Sequence, residues 1–192
     1  MGWGMPLTPI MLLLINVVCD GIPGLAFARE KPDPDLMQRA PVKRGTSLFS
    51  GLEFVIVMQV TAFVIVGWIG YYIGAFMQLP YAPAPSHLLG QTMAFAVIGW
   101  TSIWHIFTAR TRRSIFNFPI LENPMLFFSA MGTTILVVVL IMVQPLANLF
   151  GMVPMTWTHW WMVLALSVFP SITAETHKLV QRLSSRGTTI KT

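Results

Sequence analysis

The chain has 192 residues, 55% of them hydrophobic and only 10% charged, with a mean hydropathy of +0.68. Soluble domains carry about a quarter charged residues, so the composition excludes one and describes a polytopic helical membrane protein. The net charge of +5 does not signal nucleic acid, because all twelve Lys and Arg fall within 29–44, 110–113 and 178–191, as alternate connections of a membrane bundle do.

Five apolar segments follow one another at roughly 7–28, 48–76, 88–109, 125–147 and 157–180. Each is near the ~20 residues that cross ~30 Å of hydrocarbon, which predicts an all-α bundle of five transmembrane helices. Connections 29–47 and 110–123 are basic and are expected in the cytoplasm. Connections 77–87 and 148–156 contain no Lys or Arg and are expected outside. Five spans then put the N-terminus outside and the C-terminus in the cytoplasm. A start outside would be natural with further spans upstream. The lone Cys19 rules out an internal disulfide.

The first span holds the chemistry. Asp20 stands in mid-run, where a carboxylate costs ~2.5–3.5 kcal/mol and calls for a buried partner or a cation. Asn16, four residues earlier, shares its helix face, with Cys19 on the edge. Pro23 has no N–H for the Cys19 carbonyl and crowds that oxygen, while Gly21 and Gly24 loosen the backbone further. A helix broken near Asp20 and Pro23 is therefore expected, with a carboxylate, an amide oxygen and a freed carbonyl close together. Hard cations take such oxygen ligands; the bland alternative is an acid and an amide hydrogen-bonded to neighbouring helices. Leu25-Ala26-Phe27-Ala28 mimics a signal cleavage site, but no positive segment precedes the apolar core, and Asn16, Asp20 and Pro23 interrupt it.

In the second span Gly67, Gly70 and Gly74 mark one flank, read either as a packing face for a neighbouring helix or as ordinary glycine usage. Glu53 lies near the inner end of that span and is expected to reach the interface. Trp157, Trp160 and Trp161 are expected as interfacial anchors at the outer end of the last span. His105 is expected to be a satisfied interfacial histidine, and Glu175 to pair with Lys178 three residues on. His87 and His159 lie at outer ends, and the four histidines show no metal-ligand spacing.

Asn16-Val17-Val18-Cys19-Asp20-Gly21-Ile22-Pro23, introduced by Pro6-Leu7-Thr8-Pro9-Ile10, closely resembles the sixth membrane helix of P-type cation-transporting ATPases, particularly the calcium-pump branch. Pro32-Asp33-Pro34-Asp35-Leu36-Met37 and Arg39-Ala40-Pro41 resemble its following cytoplasmic loop. Gln91-Thr92-Met93-Ala94-Phe95 through His105-Ile106-Phe107 is similar to the eighth helix of bacterial members, and Trp157 through Pro170 to Lys178 to the tenth. The resemblance covers residues 1–192 as one C-terminal transmembrane domain, helices six to ten. It implies that Asn16 and Asp20 coordinate the transported cation, with Cys19 at an adjoining ligand position. It also implies that loop 31–44 relays movement of a phosphorylation domain.

Two departures bear on the ion. Cys19 stands where the family has Thr, a soft sulfur in place of an oxygen, and Ser102 stands where relatives carry Glu or Gln. One ion per cycle is expected, Ca²⁺ favoured, with Mn²⁺ or a monovalent cation open. No Asp-Lys-Thr-Gly-Thr, Thr-Gly-Glu or phosphate-binding Gly-Lys loop occurs in these residues. ATP and Mg²⁺ are therefore expected only through domains elsewhere. The expected partners are the lipid bilayer and the remaining helices and cytoplasmic domains of a pump, in the same or a separate chain; the expected place is a bacterial plasma membrane. The alternative is a truncated or split pump relic acting as a non-enzymatic membrane partner or assembly subunit.

Overall fold

The computed structural model of the protein describes residues 4–30, 52–80, 82–109 and 123–188, with single positions 37, 45 and 49, and side chains as far as Gln181. Asp33, Asp35 and the basic connection 110–122 lie outside the described residues. Helix is the only regular structure among those described. Four helical stretches are long and apolar enough to cross a membrane: Pro9–Phe27, Glu53–Phe76, His87–Ala109 and Pro124–Met142. A fifth long helix, Trp157–Thr188, completes the all-α bundle.

The first span is a composite. Thr8 caps its start, its hydroxyl accepting the Met11 N–H at 3.3 Å, and Pro9 occupies the first turn, where a missing N–H costs nothing. Helix α1 runs Pro9–Leu14, widens into a π-helix over Ile15–Gly21, and returns to α geometry as α2, Ile22–Phe27. The expected break thus takes the form of a π-helix. Its register also changes which carbonyl is freed. In an α-helix Pro23 would orphan Cys19, but i→i+5 bonding pairs residue 23 with Val18. The Val18 carbonyl instead accepts the Thr133 hydroxyl, at 3.5 Å.

Helix α3 (Glu53–Phe76) and helix α4 (His87–Ala109) form a close antiparallel pair. The glycine flank of α3 is the reason. A Cβ at Gly74 would lie 2.8 Å from the backbone of Gly90, and one at Gly67 or Gly70 would press on Ile98 or Val97. Glycine is therefore required for this backbone approach, and the packing-face reading of the three glycines holds. Tyr71 and His87 close one end of the pair with an Oη–Nδ1 hydrogen bond of 2.9 Å. α4 is the most buried of the four apolar spans and touches α2, the π-helix, α3, helix α5 (Pro124–Met142) and helix α7 (Trp157–Thr188).

The fourth segment ends earlier than its hydropathy suggests. α5 stops at Met142, Val143 is extended, and a short helix α6 (Gln144–Leu149) restarts with Pro145 in its first turn. Pro145 has no N–H for the Ile141 carbonyl and its ring would crowd that oxygen, so α5 cannot run on through it. α6 then closes on a left-handed Gly151 (φ 65°), with Met152 N–H on Ala147 O at 2.7 Å and Gly151 N–H on Asn148 O at 3.2 Å. That is a Schellman end, which favours glycine at this position.

α7 contains Pro170, and α3 supports it there. Gln59, buried in the α3–α7 seam, turned so that both ends of its amide are satisfied, donates to Pro170 O at 3.2 Å and accepts from Ala174 N–H at 3.3 Å. The tryptophans of α7 divide. Trp157 and Trp161 are 75% and 70% exposed, as anchors are, but Trp160 is 7% exposed and packs on Trp100, ring centroids 5.2 Å apart. One of the three expected anchors is therefore core, because residue 160 lies on the side of α7 that meets α4.

Candidate cation site

The π-helix sets the directions of three neighbouring side chains. Cys19 points into the bundle, 1% exposed, and its Sγ would sit 3.1 Å from a Cβ at Gly99 of α4. Asn16 and Asp20 are exposed. The Asn16 amide donates to Leu12 O at 2.9 Å, which fixes the side chain and leaves its oxygen unspent. Ser102, on α4, lies beside the Asp20 carboxylate. The structure thus brings Asp20 and Ser102 together, keeps the Asn16 oxygen on the same flank, and places the Cys19 sulfur against α4.

Two supports of this site carry no motif. Thr133, buried on α5, reaches the Val18 carbonyl of the π-helix. Asn123, buried before α5, accepts the Leu126 N–H at 3.0 Å and donates to Ala26 O at 3.2 Å and Glu30 Oε2 at 2.9 Å. It caps α5 while holding the end of α2. A polar residue inside an apolar span, and Asn directly before Pro124, were the available signals.

Further titratable groups make contacts within the bundle. Glu175 pairs with Lys178 at 2.8 Å, and Lys178 also donates to Thr108 O near the end of α4 at 2.5 Å. His159 is buried and its Nδ1 accepts the Thr156 N–H at 3.3 Å. His105 departs from expectation: its ring meets Phe63 edge-on, and its buried Nδ1 has no hydrogen-bond partner among the described residues.

A five-helix bundle whose first span widens into a π-helix, with an acid and an amide oxygen exposed on it, belongs to the class of polytopic helical membrane domains. Comparison with known proteins gives the family: residues 4–180 match the model described as cation transporting ATPase, C-terminus, and the chain belongs to that family. Calcium-transporting ATPase 1 of Bacillus cereus is 33% identical over 193 residues, covering 95% of this chain and 22% of that protein. The calcium-transporting ATPase of Bacillus subtilis is 29% identical over 177 residues, 87% of this chain and 18% of that protein. An endoplasmic reticulum calcium ATPase of Aspergillus fumigatus is 26% identical over 193 residues, 85% and 20% of the two. The chain spans about a fifth of the length of these relatives, within their C-terminal membrane region.

Proposed function

We propose that this chain is the ion-translocating C-terminal membrane part of an ATP-driven P-type cation pump, with Asp20 and Asn16 as cation ligands and Ca²⁺ as the transported ion. The observation that carries the reading is the exposure of Asp20 and Asn16 on a membrane-spanning π-helix. A carboxylate left against lipid at that depth costs several kcal/mol, so the flank needs covering by further pump helices and a cation. Oxygen donors of this kind suit Ca²⁺, the ion named in the relatives. Ser102 is the neighbouring donor on α4, and Cys19 contributes through its place in the widened backbone, its sulfur lying against Gly99.

In this reading residues 1–192 form one domain and basic connections face the cytoplasm, which places the N-terminus outside and the C-terminus inside a bacterial plasma membrane. ATP and Mg²⁺ act through phosphorylation and nucleotide domains elsewhere in the assembly. Movement of those domains through loop 31–44 changes which side of the membrane the site faces, and the ion is released as its ligand shell opens.

Asp20→Asn in the assembled pump tests this. It keeps the shape of the side chain and removes its charge. Ca²⁺-dependent phosphorylation and Ca²⁺ uptake into vesicles should fall at least ~10-fold, since a buried charged contact is worth more than the ~1.4 kcal/mol of one decade. Unchanged phosphorylation and uptake would reject Asp20 as a ligand.

A further inference from the structure

A groove with a cavity volume of about 810 Å³ opens between α3, α4 and α7, away from the π-helix. Leu52, Val60 and Phe63 belong to its long apolar wall, and Lys178, His177 and Gln181 to its polar end. From Leu52 to Phe63 the wall is on the order of 18 Å long, at ~1.5 Å per helical residue. That is the shape of an acyl chain with a head group at one end.

The polar end presents hydrogen-bond donors to an anion. No carboxylate lines the groove among the described residues, and Lys178 is its one permanent cation. Lys178 is already fixed by Thr108 O and Glu175, yet an ammonium has three donors, so one remains to offer from a rigid position. His177 and Gln181 stand beside it as further polar groups at the same end. Wall and polar end together fit an amphiphile, and in a membrane the amphiphile at hand is a phospholipid. Basic side chains at a membrane surface draw anionic lipid at about one kcal/mol apiece.

We propose that this groove is a binding site for an anionic phospholipid, its phosphate on Lys178 and His177 and one acyl chain along the α3 wall. The site is separate from the cation flank, and its detection does not depend on the pump reading or on orientation, because a nanodisc offers the lipid on both faces.

The test is native mass spectrometry of the full chain released from nanodiscs holding phosphatidylcholine and phosphatidylglycerol in equal amounts. Retained phosphatidylglycerol should exceed phosphatidylcholine about five-fold, the factor one cation near an anionic surface supplies. Gln181→Glu puts a negative charge at the mouth, and Val60→Trp fills the wall. Both positions are exposed, so neither change disturbs the core, and each should abolish the excess. Phe128→Trp, exposed on α5, should keep it. Equal retention of the two lipids, the result expected if a further helix of the assembly fills the groove, overturns the proposal. So does an excess that survives either groove variant, or displacement of the lipid by millimolar inorganic phosphate.

Discussion

Asn123 shows how one buried side chain can set the position of a site two turns away. Its oxygen starts α5 and its amide nitrogen holds both the last turn of α2 and Glu30, so three groups depend on it. α2 continues directly into the π-helix that carries Asp20. Removing an N-cap costs ~1 kcal/mol, and stranding a buried acceptor costs ~1–3 kcal/mol more. Asn123→Ala should therefore lower the thermal midpoint of the chain in detergent by a clear margin. Asn123→Asp should not restore it, because the carboxylate caps α5 but repels Glu30 and cannot donate to Ala26. If Asn123→Asp melts with the wild type, the donated bonds contribute nothing. Asp20 and Asn16 stood out in the sequence as candidate ligands, because a charge in an apolar run is improbable without a reason. Asn123 and Thr133 were not, because their partners lie 97 and 115 residues away and only the packed bundle brings them together.

Among the elements, the α3–α4 pair and the first span illustrate what local pattern can and cannot reveal. A small residue every three or four positions along α3 was visible, and the close approach at Gly74 and Gly90 is its consequence. Whether those glycines were needed depended on the residue opposite, which is Gly90, and no spacing rule names it. Gly132 of α5 supplies the contrast, since a Cβ there meets nothing within 4 Å. Gly74→Ala should cost ~1–3 kcal/mol through overpacking, whereas Gly132→Ala should be neutral or stabilise by up to ~1 kcal/mol through helix propensity. Thermal or denaturant unfolding in one detergent gives both numbers; equal effects at the two positions would mean that α3 and α4 are not held by backbone proximity. The first span shows the opposite balance. Pro23 announced an interruption, but the π-helix, and with it the pairing of the Val18 carbonyl with Thr133 of α5, is spelled by no local pattern. The inward turn of Trp160 and the early stop at Met142 belong with it: both were read as parts of a span, and both are decided by a neighbour or by Pro145.

For the whole molecule, the uneven placement of charge and the uneven burial of the first span point to the same arrangement. Cys19 is covered by α4 while Asn16 and Asp20 are exposed, so the first span is one-sided: the bundle's own helices cover one flank of the π-helix, and in the proposed function the rest of a pump covers the other. The proposed orientation of this bundle rests on its basic connections, because Lys and Arg are retained in the cytoplasm during insertion. A thiol labelling experiment reads it directly. The native Cys19 is buried and should react slowly with a bulky, membrane-impermeant maleimide, so an added cysteine dominates the signal. Ala84→Cys, exposed in the connection between α3 and α4, should label in intact cells. Gln181→Cys, exposed near the inner end of α7, should label only after the membrane is opened. Reversed labelling would invert the topology and put the polar end of the α3–α4–α7 groove on the outer face. Labelling of both sites from outside would mean that α7 does not cross, leaving a bundle with four spans.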